Sequence, residues 1–220
     1  MKRETLRKIV AGIVHALARV TYLGTEHLPA SGGILVATNH VSRVDTLLLF
    51  LNPARDDITA LVADKYQKNL FFKWMMNTGG IIWLDRENAD FGAVRAAVAA
   101  LKRGLSLGIA PEGTRSPAGE LQEGKAGIVL VALKAGVPIV PVGIIGTRDV
   151  IPKMFTFQHP SITLKFGPAF SIPPLDHGHR DEQMKQSTDE VMCRIAALLP
   201  PEYWGLYKDH PRLKELLAKP

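Results

Sequence analysis

The sequence predicts an α/β fold: a central, mostly parallel or mixed sheet flanked by helices, with an N-terminal amphipathic helix in front. Three observations carry that expectation. Short apolar, β-type runs alternate with longer segments of helical period along most of the chain. The 220 residues are 46% hydrophobic and 22% charged, a globular balance that excludes disordered and collagen-like classes and is long enough to bury a sizeable core. No internal repeat, low-complexity stretch or Pro/Gly/Ser-rich linker divides the chain. Residues 24–220 therefore read as one domain behind a basic, amphipathic helical segment at residues 1–23.

That first segment holds Lys2, Arg3, Arg7, Lys8 and Arg19 against Glu4 alone, which is most of the chain's net charge of +6. Leu6, Ile9, Val10, Ile13, Val14 and Leu17 recur at helical spacing. Such a stripe suits packing on the chain's own domain and contact with an anionic membrane surface equally well. Its apolar run is broken by Gly12 and His15 and falls short of the roughly 20 residues a spanning helix needs. Ala16-Leu17-Ala18 loosely matches a signal-peptide end, a reading that Glu4 and His15 weaken.

Strands are expected at 33–38, 58–63, 80–84, 105–110 and 137–145, with 161–166 alternating like an edge strand. Helical patterns occupy 46–51, 91–101, 125–134, 181–199 and 203–217. The mixed segment 66–76 interleaves Phe71, Phe72, Trp74, Met75 and Met76 with lysines. It fits a core helix with solvated lysines, or a lipid contact with soft side chains lining an acyl channel.

The single cysteine, Cys193, excludes a disulfide scaffold and a cysteine metal cluster. The basic balance points to an acidic partner or surface. No helix-turn-helix, zinc or RNP pattern accompanies it, so nucleic acid is not the expected partner.

Sites in such sheets collect in loops at the carboxyl ends of strands. The first of these reads Thr38-Asn39-His40-Val41-Ser42-Arg43-Val44-Asp45. Five helical steps turn the chain by about 500°, so His40 and Asp45 cannot share a face of one continuous helix. They meet if His40 sits in the loop and Asp45 in the first helical turn, a start that Ser42-x-x-Asp45 favours as a capping box. Asp45 would then orient one imidazole nitrogen and leave the other as a general base. The plain alternative is that Asp45 only favours the helix N-terminus. Two later strand ends supply Asp85-Arg86 and Pro111-Glu112-Gly113-Thr114-Arg115-Ser116. Two arginines there could converge on an anion, while Gly113 and Thr114 let backbone N–H groups approach it. Singly these are a salt bridge and a turn; together they suggest one cleft with a base and a phosphate clamp.

In order and wording these motifs resemble the glycerolipid acyltransferase family, which includes bacterial 1-acyl-glycerol-3-phosphate acyltransferase. Asn39-His40-x4-Asp45 matches its catalytic motif, Gly80-Ile-Ile-Trp-Leu-Asp85-Arg86 its second block, Pro111 to Ser116 its third and Val137-Pro138-Ile139-Val140-Pro141 its fourth. Trp83 and Ala110 differ from the residues usual there. The resemblance implies that His40 deprotonates a glycerol hydroxyl, which attacks an acyl thioester of coenzyme A or acyl carrier protein. Asp45 would hold His40. Arg86, with Glu112, Gly113, Thr114 and Arg115, would bind the acceptor's phosphate region. Oxyanion donors are expected among backbone N–H groups near the first motif. The implied product is phosphatidic acid, or a related diacyl lipid from another lysolipid acceptor. No metal or resident cofactor is implied. The expected location is peripheral, on the cytoplasmic face of the cell membrane.

Rival readings come from other residues. Gly104-Leu-Ser106-Leu-Gly108 matches the nucleophile elbow of serine esterases, but here a helix precedes and a strand follows, the reverse of the elbow's order. Asp176-His177-Gly178-His179 lacks further ligands at metal-site spacing and reads as a loop. A non-catalytic lipid-binding module would share the basic segment and need no base at His40.

Overall fold

A computed structural model describes residues 1–63, 67–84, 91–176 and 178–218. Among these described residues the sheet has seven strands, β1 (Arg19–Leu23), β2 (Ile34–Thr38), β3 (Thr59–Ala63), β4 (Ile82–Leu84), β5 (Ser106–Ile109), β6 (Ile139–Ile145) and β7 (Ser161–Phe166). Their spatial order is β1-β7-β6-β2-β5-β3-β4. Every neighbouring pair is parallel except β6 with β7. The helices are α1 (Arg3–Leu17), α2 (Val44–Phe50), α3 (Leu70–Thr78), α4 (Phe91–Lys102), α5 (Gly127–Ala135), α6 (Val150–Phe155), α7 (Arg180–Ala196) and α8 (Pro211–Leu217).

β2 lies in the middle of the sheet, and all five of its residues are buried. Its side chains alternate between two cores, as strand geometry requires. Leu35 and Ala37 join residues of α4, α5, α7 and α8 on one face. Ile34 and Val36 join residues of α1, α2 and α6 on the other. A strand covered on both faces needs a continuous apolar run, and Ile34-Leu-Val-Ala37 supplies it. Pro141 is tolerated in β6 because the ladder to β7 starts one residue later, at Val142 opposite Phe166.

Three expectations change. The helical reading of residues 1–23 holds to Leu17; Arg19–Leu23 is strand β1, paired with β7. That pairing takes β7 off the edge of the sheet, where its alternation had placed it. Residues 203–217 are not one helix: two 3₁₀ turns, Pro201–Tyr203 and Gly205–Tyr207, precede α8. Pro211 at the first position of α8 cannot sit inside a longer helix.

α1 runs along the face that carries α2. Leu6 and Val14 are buried and Val10 and Leu17 partly so, whereas Ile9 and Ile13 are 51% and 54% exposed. Two of the basic residues point into the domain. Arg3 donates to the carbonyls of Gly79 (2.8 Å) and Ile58 (2.6 Å), and Arg7 to that of Asn52 (2.7 Å). Both guanidinium groups stack on Phe50. α1 is thereby fixed as a wall of the domain. Among the described residues no helix is long and apolar enough to cross a membrane.

Candidate active site

The loop from β2 into α2 folds around Asp45. The Asp45 carboxylate is buried, and its Oδ2 accepts the backbone N–H groups of Val41 (2.8 Å) and Ser42 (2.7 Å). The bond to Ser42 is the carboxylate half of the expected capping box, but the hydroxyl half does not form: the N-cap of α2 is Arg43, and Ser42 Oγ faces the Val44 N–H at 3.4 Å. The same oxygen lies 2.9 Å from Nδ1 of His40. An ionised carboxylate can only accept, so Nδ1 carries the proton and Nε2 presents its lone pair. Asn39 holds the loop from below, exchanging two hydrogen bonds with the backbone of Ile144 on β6 (2.9 and 2.8 Å).

The turn after β5 closes against this loop. Ser116 N–H donates to the His40 carbonyl (2.8 Å), and Glu112 accepts the His40 N–H (2.9 Å) and the Gln122 N–H (3.0 Å), one on each oxygen. Burial pushes the Glu112 carboxyl above its ordinary value, against the opposing pull of those two N–H groups. Glu112, grouped with phosphate binding in the sequence reading, is 2% exposed with both oxygens committed. A carboxylate would also repel phosphate. Its place is that of a strut between two loops. Gly113 turns with φ 69°, and a Cβ there would lie 3.1 Å from the Lys125 side chain. Glycine supplies this left-handed turn without strain.

A cleft of about 510 Å³ opens in front of His40. Leu6 and Val10 of α1, Leu47 and Phe50 of α2, Leu61 and Val62 of β3, and Met75 and Met76 of α3 give it apolar walls. His40, Arg43, Lys68, Thr114 and Arg115 also line it. Within 67–76, Met75 and Met76 line the cleft, while Leu70 and Trp74 are exposed. Lys68 carried no motif, and only the fold brings it to the cleft; Arg43 lies inside the His40-x4-Asp45 motif.

His40, Asp45, Glu112, Gly113, Thr114 and Arg115 therefore converge. Arg86 and Asp85 lie outside the described residues, as does His177. The backbone N–H groups of His40, Val41 and Ser42 are all taken by carboxylates. They are not oxyanion donors, contrary to the expectation for the first motif. Ser106 is fully buried at the amino end of β5, its N–H and hydroxyl both directed at Asp57. It sits at the opposite end of the sheet from His40, which removes the serine-esterase reading. Cys193 is buried beside His210 (Sγ to Nδ1 3.3 Å), and burial pushes its thiol up to about 12.

Residues 19–145 match the Acyltransferase family. Among curated proteins, the chain is similar to the 1-acyl-sn-glycerol-3-phosphate acyltransferase of Borreliella burgdorferi, at 22% identity over 82% of this chain and 73% of that one. It is also similar to the chloroplastic 1-acyl-sn-glycerol-3-phosphate acyltransferase BAT2 of Brassica napus, at 30% identity over 67% of this chain. There the match spans 43% of the longer protein. Among solved structures it shares the fold of the 1-acyl-sn-glycerophosphate (LPA) acyltransferase from Thermotoga maritima, with a TM-score of 0.62 and 22% identity. That alignment covers 86% of this chain and 79% of the other.

Proposed function

The chain belongs to the Acyltransferase family, and on that premise we propose that it acylates the free hydroxyl of 1-acyl-glycerol-3-phosphate, giving phosphatidic acid. The donor is a fatty acyl thioester of coenzyme A or acyl carrier protein. The observation that carries this reading is the His40–Asp45 pair against an apolar cleft that Arg43, Lys68 and Arg115 also line.

Nε2 of His40 takes the proton of the acceptor hydroxyl as its oxygen attacks the thioester carbonyl. Asp45 stabilises the imidazolium through Nδ1–H. Collapse of the tetrahedral intermediate breaks the C–S bond, and the imidazolium returns its proton to the departing thiolate. A thioester is already activated, so this route calls for no serine or cysteine nucleophile, metal or resident cofactor. Arg115 and Thr114, together with Arg86, bind the acceptor's phosphate. The acyl chain lies along Leu47, Phe50, Met75 and Met76. Each methylene buried there contributes about 0.8 kcal/mol.

Lysolipid and product both reside in a bilayer, so the enzyme works from the cytoplasmic face of the membrane as a peripheral protein. The outward Ile9 and Ile13 of α1 and Leu70 and Trp74 of α3 flank the cleft and would contact lipid. The test is thiol release from palmitoyl-coenzyme A, with and without lysophosphatidic acid, for wild type and His40→Ala. Acceptor-dependent release that falls about 10²–10⁴-fold in the variant is the expected result. Acceptor-independent release that survives the substitution would sink the reading.

A further inference from the structure

A second apolar surface stands on the catalytic side of the sheet. α6 follows the carboxyl end of β6, beside the end of β2 that carries His40. It is tied down by Val150 and Met154, buried in the core cluster that also contains Val14 and Ala18. The rest of the connection turns outward. Ile151 is exposed, Phe155 is 82% exposed and Phe157 70% exposed, with Arg148 and Lys153 exposed beside them.

Phe157 ends α6 in a conformation that folding alone does not favour. The Gln158 N–H donates to the Lys153 carbonyl (3.0 Å) and the Phe157 N–H to that of Met154 (3.1 Å), the paired bonds of a Schellman turn. Its left-handed position is held by Phe157 at φ 53°, where glycine fits freely and a bulky side chain is strained. Asp149 and His159 also carry positive φ, 54° and 46°. A strained, solvent-facing phenyl answers to something other than the fold.

We propose that Ile151, Phe155 and Phe157 form an insertion tip that seats this end of the sheet on an anionic bilayer, with Arg148 and Lys153 at the phosphate level. Apolar side chains below and cations at the rim match the layering of a lipid interface. The tip also adjoins the active-site loops: a Cβ at Gly119 would lie 3.5 Å from Cδ of Arg148. Seating it brings the cleft mouth to the surface that holds the lysolipid acceptor, an argument that rests on the acyl-transfer reading.

The full chain is co-sedimented with vesicles of phosphatidylcholine plus phosphatidylglycerol, and of phosphatidylcholine alone. Phe155→Ser combined with Phe157→Gly lowers partition to the anionic vesicles roughly tenfold or more, because a buried phenyl contributes at least one decade. Phe157→Gly alone keeps or raises the melting temperature, which a structural role for the phenyl would not allow. Arg148→Gln with Lys153→Gln removes the preference for anionic over neutral vesicles. Unchanged vesicle binding in the aromatic double variant overturns the proposal. So does a variant that binds vesicles normally yet loses transfer from acyl carrier protein only, which would make the tip a protein-docking surface. Transfer between short-chain, water-soluble donor and acceptor, measured on wild type, tests the acyl-transfer reading separately from the vesicle result.

Discussion

The carboxylate of Glu112 accepts the backbone N–H of His40 at 2.9 Å across 72 residues of sequence. Its other oxygen holds Gln122, so one buried side chain ties the general base's loop to the turn that carries Thr114 and Arg115. Glu112→Ala leaves two buried N–H groups without acceptors and destabilises the fold by about 2–4 kcal/mol. Glu112→Gln keeps one acceptor and loses less. Chemical denaturation and kcat together check this, with kcat falling in both variants because His40 is no longer held.

The raised Glu112 carboxyl has a pH signature. The native state keeps this proton to higher pH than the unfolded chain, so the group's contribution to stability is fully present below the ordinary value of 4.5. It is lost as pH rises through the native value. The stability of wild type minus that of Glu112→Gln therefore declines from pH 4 towards neutrality. A difference that grows with pH would contradict the assignment. Urea midpoints over that range measure it.

Asp45→Asn preserves an oxygen for the N–H groups of Val41 and Ser42 but removes the charge facing Nδ1 of His40. The expected outcome is a fall in kcat of about 10²–10⁴-fold with KM for both substrates little changed. A steady-state profile across pH 6–9, run beside His40→Ala, separates loss of orientation from loss of the base.

These two residues were legible in the sequence because the information is local. Ser42-x-x-Asp45 specifies a helix start, and that start folds His40 back onto the carboxylate. The strands were legible for the same reason, each being a short apolar run between turn residues. β1 was not: Arg19-Val-Thr-Tyr-Leu23 is exposed on alternate residues, and its partner, β7, begins only at Ser161, a separation no local pattern reveals. Glu112 read as a ligand contact because an acidic residue in a loop carries no sign of which backbone N–H groups it will meet. Arg3 and Arg7 read as surface charge, yet both satisfy carbonyls at Gly79, Ile58 and Asn52. Only the assembled fold shows which carbonyls need donors.

Arg115 lines the cleft beside His40. Arg115→Ala is expected to raise KM for lysophosphatidic acid by about tenfold, the worth of one charged hydrogen bond. KM for the thioester changes little. A neutral lysolipid acceptor predicts no such rise, and Arg86→Ala in the same assay tests the second arginine.

Ser106→Ala removes a hydroxyl that faces Asp57. It should leave kcat unchanged and cost about 1 kcal/mol of stability. Arg55→Ala is far more severe. The buried Arg55 guanidinium pairs with Asp57 at 2.6 Å and donates to the carbonyls of Pro29, Gly32 and Gly104. Breaking that network should destabilise by about 3–5 kcal/mol. Thermal melts of the two variants, with activity measured below their transitions, check both.

The pairing of β1 with β7 also sets a schedule. Arg19 meets Ser161, so roughly 140 residues must leave the ribosome after β1 before its partner exists, about 10 s at ordinary synthesis rates. Throughout that interval β1 has no partner strand, while α1 already has Phe50, Asn52, Ile58 and Gly79 to hold it. A nascent chain halted before residue 161 would carry every residue that lines the cleft, His40 included, and still lack the strand that pairs with β1. The edge of the sheet is thus completed late in translation, when its last strand captures its first.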